Sequence, residues 1–542
     1  MTVNKPLDDI VVIGIDFGTT FSGVSWAHSR EPDAIEIVTC WESELNRSSD
    51  VEKAPTQLYF DSNGHDVKWG YGIPLDKEPL KWFKLLLLDS ADLPAEVTNS
   101  TQIQEARRLK NAAGKEAIAI IASFLRKLWD HSVESIRRAI RADLLERSKF
   151  QVVITLPAIW PPYAQNRMKQ AARQSGILDG QSAGTTMLQF ISEPEAAALA
   201  TIEDMGKRST IKTGDTVVVC DAGGGTVDLI SYIFEPTDPF IVKECVKGDG
   251  GLCGGVFLDE GFIKLVKRKT PTVSWASVSR LGEKKFLNDE WEHGIKPQFE
   301  NQNRAWPIYL PDSCISNSSA GGLKRRETLE LSSDEILSAF SPITAKIEAL
   351  VRLQVVAIEA KYHKAPKLVF SRIHRWTAIC RGAVVQGLLR HNPSSSLGVL
   401  VESRVARMSY GVGYRTSFIQ GKHKTVDRVW CDKEKEWFAN NQMKWFLEEG
   451  DDISEKRSLH HDFYRWVKGD AVEVSEKIYC TTTFPSPGRY DDALPKVTNN
   501  SQESFEKLSH RVKMDCEDGI VNFAVYFEGQ KVGGQEVDVQ FN

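Results

Sequence analysis

Two stretches far apart in the chain share one pattern: an apolar run, an Asp, a Gly-rich turn with Thr, and a second β-like run. The first is Ile13-Gly14-Ile15-Asp16-Phe17-Gly18-Thr19-Thr20-Phe21-Ser22, and the second is Val217-Val218-Val219-Cys220-Asp221-Ala222-Gly223-Gly224-Gly225-Thr226-Val227-Asp228. Each spells a hairpin whose tip lacks bulky side chains, so backbone N–H groups can close on an anion. A single Gly-rich turn between strands is ordinarily only a turn. The whole unit repeated, each copy led by an Asp, predicts a duplicated fold that grips one polyphosphate from both sides.

The pair resembles the two phosphate signatures of the actin-like ATPase superfamily, which includes actin, sugar kinases and the 70-kDa heat-shock chaperones. Phe190-Ile191-Ser192-Glu193-Pro194-Glu195-Ala196-Ala197-Ala198-Leu199-Ala200 resembles the segment linking the lobes in the heat-shock branch, and Val152-Val153-Ile154-Thr155-Leu156-Pro157-Ala158 resembles that branch's strand before its second lobe-one helix. The likeness covers residues 9–390. Beyond it, Ser409-Tyr410-Gly411-Val412 and Asn441-Gln442-Met443-Lys444-Trp445-Phe446 resemble the divergent heat-shock branch typified by the 12A type. The implied fold class is α/β: a duplicated actin-like (ribonuclease H-like) two-lobed ATPase fold, followed by a small β-rich C-terminal region. Lobe I is expected over 9–205 with an inserted subdomain at about 46–145. Lobe II is expected over 214–400 with an insert at about 256–340, and a family-specific region over 401–542.

Composition narrows the function classes. The chain has 542 residues, enough for several lobes, and 41% hydrophobic with 26% charged residues is ordinary for a globular protein. A net charge of −5 leaves no basic face for nucleic acid. The run Lys264, Lys267, Arg268, Lys269 reads as a solvated helix end. Nine cysteines stand singly, without a C-x-x-C pair, which predicts neither a disulfide framework nor a zinc site. No signal peptide and no membrane span are expected, so the expected compartment is cytoplasmic.

Periodicity predicts the elements. Strands are expected at 10–15, 23–27, 151–156, 217–220, 227–234 and 241–246, the last followed by Gly248-Asp249-Gly250-Gly251. A helical pattern runs from Gln102 to Asp143 with Ile118, Ile121, Leu125 and Leu128 on its apolar stripe, and helices are expected at 162–175, 256–269 and 333–361. Residues 203–214 read as a hinge and 312–323 as an exposed loop. Near the C-terminus Val521, Phe523, Val525 and Phe527 alternate, Gly529 turns, and Val537, Val539 and Phe541 alternate back, which predicts a half-buried hairpin.

The resemblance also assigns roles. An ATPase of this kind holds ATP or ADP with Mg²⁺, and phosphoryl transfer depends mainly on placement and charge. Mg²⁺ needs only one or two carboxylates and keeps several waters. Asp16 and Asp221 are assigned to the metal. Gly18, Thr19, Thr20, Gly223, Gly224, Gly225 and Thr226 are assigned to the phosphates, with Glu193 positioning the metal-bound water network and Asp228 supporting the second loop. The catalytic set is thus Lys84, Glu193 and Asp221. Lys84 is the best match to the chaperones' lobe-one Lys, with Lys81 and a plain surface Lys as the other readings.

Departures concern the purine site and the output. Lys367-Leu368-Val369-Phe370 begins a strand, then passes through Ser371-Arg372-Ile373-His374-Arg375 directly into Trp376-Thr377-Ala378-Ile379-Cys380-Arg381-Gly382-Ala383-Val384, which resembles the final lobe-two helix. The Gly-Gly turn, helix and strand that flank adenosine in the family do not fit between, because so few residues span only about 20 Å. Either the purine wall is truncated near 370–375, or the chain is an imperfect gene product or splice form. Val256 stands where the chaperones place an acidic residue, and Lys169, with Arg167 nearby, stands where they use a signalling Arg. No standard peptide-binding domain follows. The leading expectation is a slow, heat-shock-like ATPase acting as a nucleotide-driven switch with a chaperone-related output and an unknown protein partner or client. The alternative is a catalytically weak pseudo-ATPase scaffold of the same fold. A sugar kinase would need an Asp base and a sugar pocket that the sequence does not offer.

Overall fold

The computed structural model describes residues 9–537, leaving aside 44–49, 62–66, 207–211, 271–274, 312–327 (except Cys314), 371–375, 393–398, 453–457, 467–477, 490–506 and several one- and two-residue gaps. The first sheet is opened by β1 (Ile10–Phe17) and β2 (Phe21–His28), an antiparallel hairpin, with β3 (Glu36–Ile37) and β4 (Lys53–Pro55) both paired to β2. Helix α1 (Ala117–Ala139) leads to β5 (Lys149–Leu156), which pairs in parallel with β1; α2 (Pro162–Ser175) leads to β6 (Met187–Ser192), parallel to β5. The order is β3-β2-β1-β5-β6, and α3 (Glu193–Gly206) leaves its end.

The second half repeats this plan up to a point. Strands β7 (Thr216–Ala222), β8 (Val227–Thr237) and β9 (Phe240–Gly251) form an antiparallel meander, followed by α4 (Val256–Lys269), α5 (Ser333–Tyr362) and β10 (Leu368–Phe370), which runs parallel to β7. Next comes α6 (Ala378–His391). In the first sheet a fifth strand, β6, lies outside the fourth. In the second, among the described residues, nothing lies outside β10, and β11 (Val399–Ser403) instead adds to the far edge beside β9.

Both sheets are covered on both faces, which is why their central strands read as continuous apolar runs rather than alternating ones. In β1, Val11, Ile13 and Ile15 point into a core with α1 and α2, whereas Ile10 and Val12 join a core with α3 and α6. Val217 and Val219 enter that second core from the other side, and Val218 and Cys220 face Ile358 of α5. Layers therefore stack as α1/α2, first sheet, α3/α6, second sheet, α5. The two middle helices cross in close contact at Gly382, where a Cβ would lie 1.6 Å from the Ala196 carbonyl oxygen.

Three local points refine the expectations. The helical pattern over 102–143 is three helices, Thr101–Ala112, α1 and Ala142–Arg147, because Gly114 adopts φ +61° and breaks the first from the second. The Gly248–Gly251 stretch continues the expected strand as the end of β9, with Gly250 opposite Asp228 and Gly251 opposite Val227. Lys81 is exposed, and Lys84 is buried. The 312–323 loop apart from Cys314, the Ser371–Arg375 junction, residues 207–211 of the 203–214 hinge, and Gly529, Val539 and Phe541 lie outside the described residues. Beyond 400, strand Ser409–Ser417 pairs with Glu436–Leu447 and Ile478–Thr481, and Ser458–Trp466, Lys507–Glu517, Ile520–Phe527 and Gln530–Val537 form a second four-stranded sheet. No helix among the described residues is long and apolar enough to cross a membrane.

Candidate functional site

The tips of the two duplicated hairpins meet. A Cβ on Gly224 would sit 2.1 Å from Thr20 Oγ1, and one on Gly225 would sit 3.0 Å from Thr19 Oγ1, so only glycine permits this contact. The second tip is braced from behind. Gly254, Gly255 and Val256, at the start of α4, donate their N–H groups to the carbonyls of Gly225, Gly223 and Gly224 at 3.1, 3.0 and 3.0 Å. With its carbonyls held on that side, the loop keeps the N–H groups of Gly224 and Gly225 without a backbone acceptor among the described residues. The first tip is tied by Thr56, whose N–H donates to the Thr20 carbonyl at 2.8 Å.

Charged side chains gather under the tips. Asp16 lies opposite Gly23 across β1 and β2, and Asp221 lies opposite Asp228 across β7 and β8. The short helix that carries Lys84 (Phe83–Leu87) drives it inward: its ammonium donates to Glu193 Oε1 at 2.5 Å, with side chains 1% and 6% exposed. Lys84 Nζ also stands 5.3 Å from the Trp160 ring and 5.8 Å from that of Phe17. Asp228 receives the Ala158 N–H at 3.1 Å, joining the segment after β5 to the second hairpin.

The electrostatics favour incoming positive charge. Burial pushes the Asp221 carboxyl up to about 7, helped by the negative charges of Glu193 and Asp16. Burial likewise raises Asp228, with Glu193 and Asp221 adding to the effect, and raises Glu193, although Lys84 pulls it back. Three buried polar atoms here have no hydrogen-bond partner among the described residues: Asp228 Oδ2, Thr155 Oγ1 and Trp160 Nε1. Unsatisfied buried groups are rare in native proteins and mark where water or a ligand belongs. Among the described residues no three His, Cys, Asp or Glu side chains converge as a direct metal cage. A cation held mainly through its own water needs none. Loop N–H groups, Thr hydroxyls, a buried Lys and charge-starved carboxylates together fit a metal-associated polyphosphate.

Every residue singled out in the sequence for this site therefore comes to one place. The chain is similar to 70-kDa heat-shock proteins. The chain is 28% identical over 319 residues to human heat shock 70 kDa protein 12B, covering 48% of this chain and 45% of the relative. It is 25% identical over 309 residues to mouse heat shock 70 kDa protein 12A, covering 47% and 45%. The chain is a divergent heat-shock-70 relative of the 12A kind. Chaperone protein dnaK of Guillardia theta matches at 26% identity over 349 residues, covering 61% of this chain and 50% of that one. This heat-shock-70 relative thus spans about half the length of the curated proteins it matches. Residues 404–482 match a family described as a domain of unknown function (DUF8568).

Two features of the site escaped the sequence reading. Lys53, in Lys53-Ala54-Pro55-Thr56, ends beside Asp16. It sits in a region of short strands where neither periodicity nor motif singles out a Lys. Arg404, from beyond the second sheet, donates to both oxygens of Glu195, with its shortest contact at 2.6 Å. That pair fastens the chain after β11 to the first turn of α3, two residues from Glu193.

Proposed function

We propose that this chain binds ATP and ADP with Mg²⁺ between two actin-like lobes, at 9–205 and 214–400, hydrolyses ATP slowly, and uses lobe closure as a switch. The observation that carries this reading is the tip-to-tip contact of Thr19 and Thr20 with Gly224 and Gly225 above Asp16, Asp221, Asp228, Lys84 and Glu193. Loop N–H groups and Thr hydroxyls of both hairpins bind phosphate oxygens, and Lys84 balances their charge. Asp221 would face the metal's water shell, the role that the family analogy also gives to Asp16. A bound Mg²⁺ supplies charge neutralisation of the phosphates. Glu193 and Asp228, both held above the ordinary carboxylate range, accept or hold protons of ordered water near the phosphates.

A second reading, a pseudo-ATPase scaffold, is favoured by one observation: β10 ends at Phe370, α6 begins at Ala378, and the second sheet lacks an outer fifth strand among the described residues. Both readings share the phosphate site and differ in turnover. Calorimetric titration with Mg²⁺-ATP tests the site. Asp221→Asn is expected to weaken binding at least about tenfold, while unchanged affinity removes the assignment. Single-turnover hydrolysis then separates the two readings. The absent wall also predicts that ATP and GTP bind within about tenfold of each other, since lost apolar contact weakens base recognition at about 25 cal/mol per Å². The region from 401 onward is proposed to meet a protein partner, supported by its attachment to the second sheet through β11, the Val405 N–H to Glu244 hydrogen bond at 2.9 Å and the Lys247–Glu449 pair at 2.6 Å.

A further inference from the structure

A buried ammonium sits beside one of the two aspartates assigned to the metal. Strand β4 pairs with β2 so that Lys53 lies opposite Gly23, and Gly23 in turn lies opposite Asp16. The Lys53 stem runs over the bare Gly23: a Cβ there would come within 3.0 Å of Lys53 Cγ and 3.3 Å of Cε. That path ends with Nζ 2.5 Å from Asp16 Oδ2, the two side chains being 7% and 3% exposed. Trp376 stands over the ammonium at 5.9 Å and meets Phe21, next to the first tip, edge-on at 5.1 Å. Burial works against the Lys53 charge, but Asp16, Cys380 and Asp221 more than offset it and hold the ammonium above its ordinary value.

Two consequences follow from charge and valence. An ammonium has three donors, and among the described residues Asp16 is the one acceptor Lys53 has. The other donors are buried at the foot of a phosphate loop, where an anion's oxygens would satisfy them. A cation already in contact with Asp16 also repels a second one brought to the same oxygens.

We propose that Lys53 is a polyphosphate-binding residue that takes the place of the divalent metal at Asp16, so that this chain binds nucleoside diphosphates with little need for Mg²⁺. The inference rests on the reading of the paired loops as a polyphosphate site. Lys84 and Lys53 then flank the phosphates from two sides, and Asp221 alone keeps a metal-facing role.

Calorimetric titration with ADP, in Mg²⁺ and in EDTA, tests this on the full chain. The unmodified chain is expected to change affinity by less than about threefold between the two conditions. Lys53→Met is expected to lose at least about tenfold in EDTA and to recover part of that with Mg²⁺, while Lys53→Arg keeps most of the metal-free binding. Where Lys53→Met alone melts early by circular dichroism, the double variant Lys53→Met/Asp16→Asn removes both charges and is titrated instead. An unmodified chain that loses more than about tenfold in EDTA, or a Lys53→Met variant that matches it there, overturns the proposal and leaves Lys53 as a counter-ion of Asp16. Absence of ADP binding in both conditions overturns the polyphosphate site itself, and the proposal with it.

Discussion

Lys84 and Glu193 are joined in a buried ion pair that neither residue can leave without stranding the other. Removing one partner of such a pair is far more damaging than removing both, because a lone charge stays in a poorly solvated site. Lys84→Met is therefore expected to lower the unfolding free energy by about 3 kcal/mol, and Lys84→Met/Glu193→Leu to regain most of that loss. Denaturant unfolding of the two single variants and the double checks this, and simple additivity of the losses would rule out the coupling. Asp221 supplies a pH test. Burial first, then Glu193 and Asp16, raise its carboxyl from 3.8 to about 7 in the fold. A raised acid binds its proton more tightly when folded, so its stabilising contribution is full below the unfolded value and falls as pH climbs from about 4 to about 7. In EDTA, Asp221→Asn should therefore gain stability relative to the unmodified chain between pH 5 and pH 8. Urea midpoints that move the other way would exclude a buried, proton-holding Asp221.

At the scale of elements, the two halves of the duplication are unequal. In the first, α1 is covered by α2, the helix between the fourth and fifth strands; Leu125 and Leu128 share a core with Met168 and Ala172. In the second, the stretch after β10 leads straight to α6, and α5 exposes Leu353 at 59% and Val356 at 56% on a stripe with Ala345 and Ala349. The geometry predicts opposite tolerances. Leu353→Glu with Val356→Glu should shift Tm by less than about 2 °C, as surface substitutions do. Gly382→Ala should cost about 3 kcal/mol or more, because its methyl collides with the Ala196 carbonyl and must part α6 from α3. Thermal melts of both variants read this directly, and a severe loss from the α5 pair would show that its face is covered.

At the scale of the whole molecule, the proposed nucleotide switch would act through the elements that touch the paired loops. Arg404 joins the chain beyond β11 to Glu195 on the first turn of α3, and β11 extends the second sheet. On the proposed reading, that coupling would pass to the strands beyond 400. A fluorescent hydrophobic heptapeptide is expected to show no ATP-sensitive binding to this chain. Such binding would restore a clamp of the usual chaperone kind.

Much of this protein was legible in its sequence because the signals were local. Asp16, Asp221 and the glycines and threonines between paired apolar runs specify hairpins through turn chemistry and strand pattern alone. The 162–175 helix is bounded by its own Pro162 and by Gly176 at φ +88°, again a local matter. What the sequence alone left open was decided by distance in space. Lys81 and Lys84 differ by three positions in an apolar run, and only the packing of the short helix on Phe17 and Trp160 sends Lys84 to Glu193. Gly248–Gly251 carries a turn composition, yet pairing with Val227 and Asp228 holds it in a strand. Lys53 reaches Asp16 because β4 docks on β2 over Gly23, a three-strand register that no single segment encodes. Local rules fixed the loops, and the burial of charge against charge, settled only when remote strands align, fixed what stands beside them.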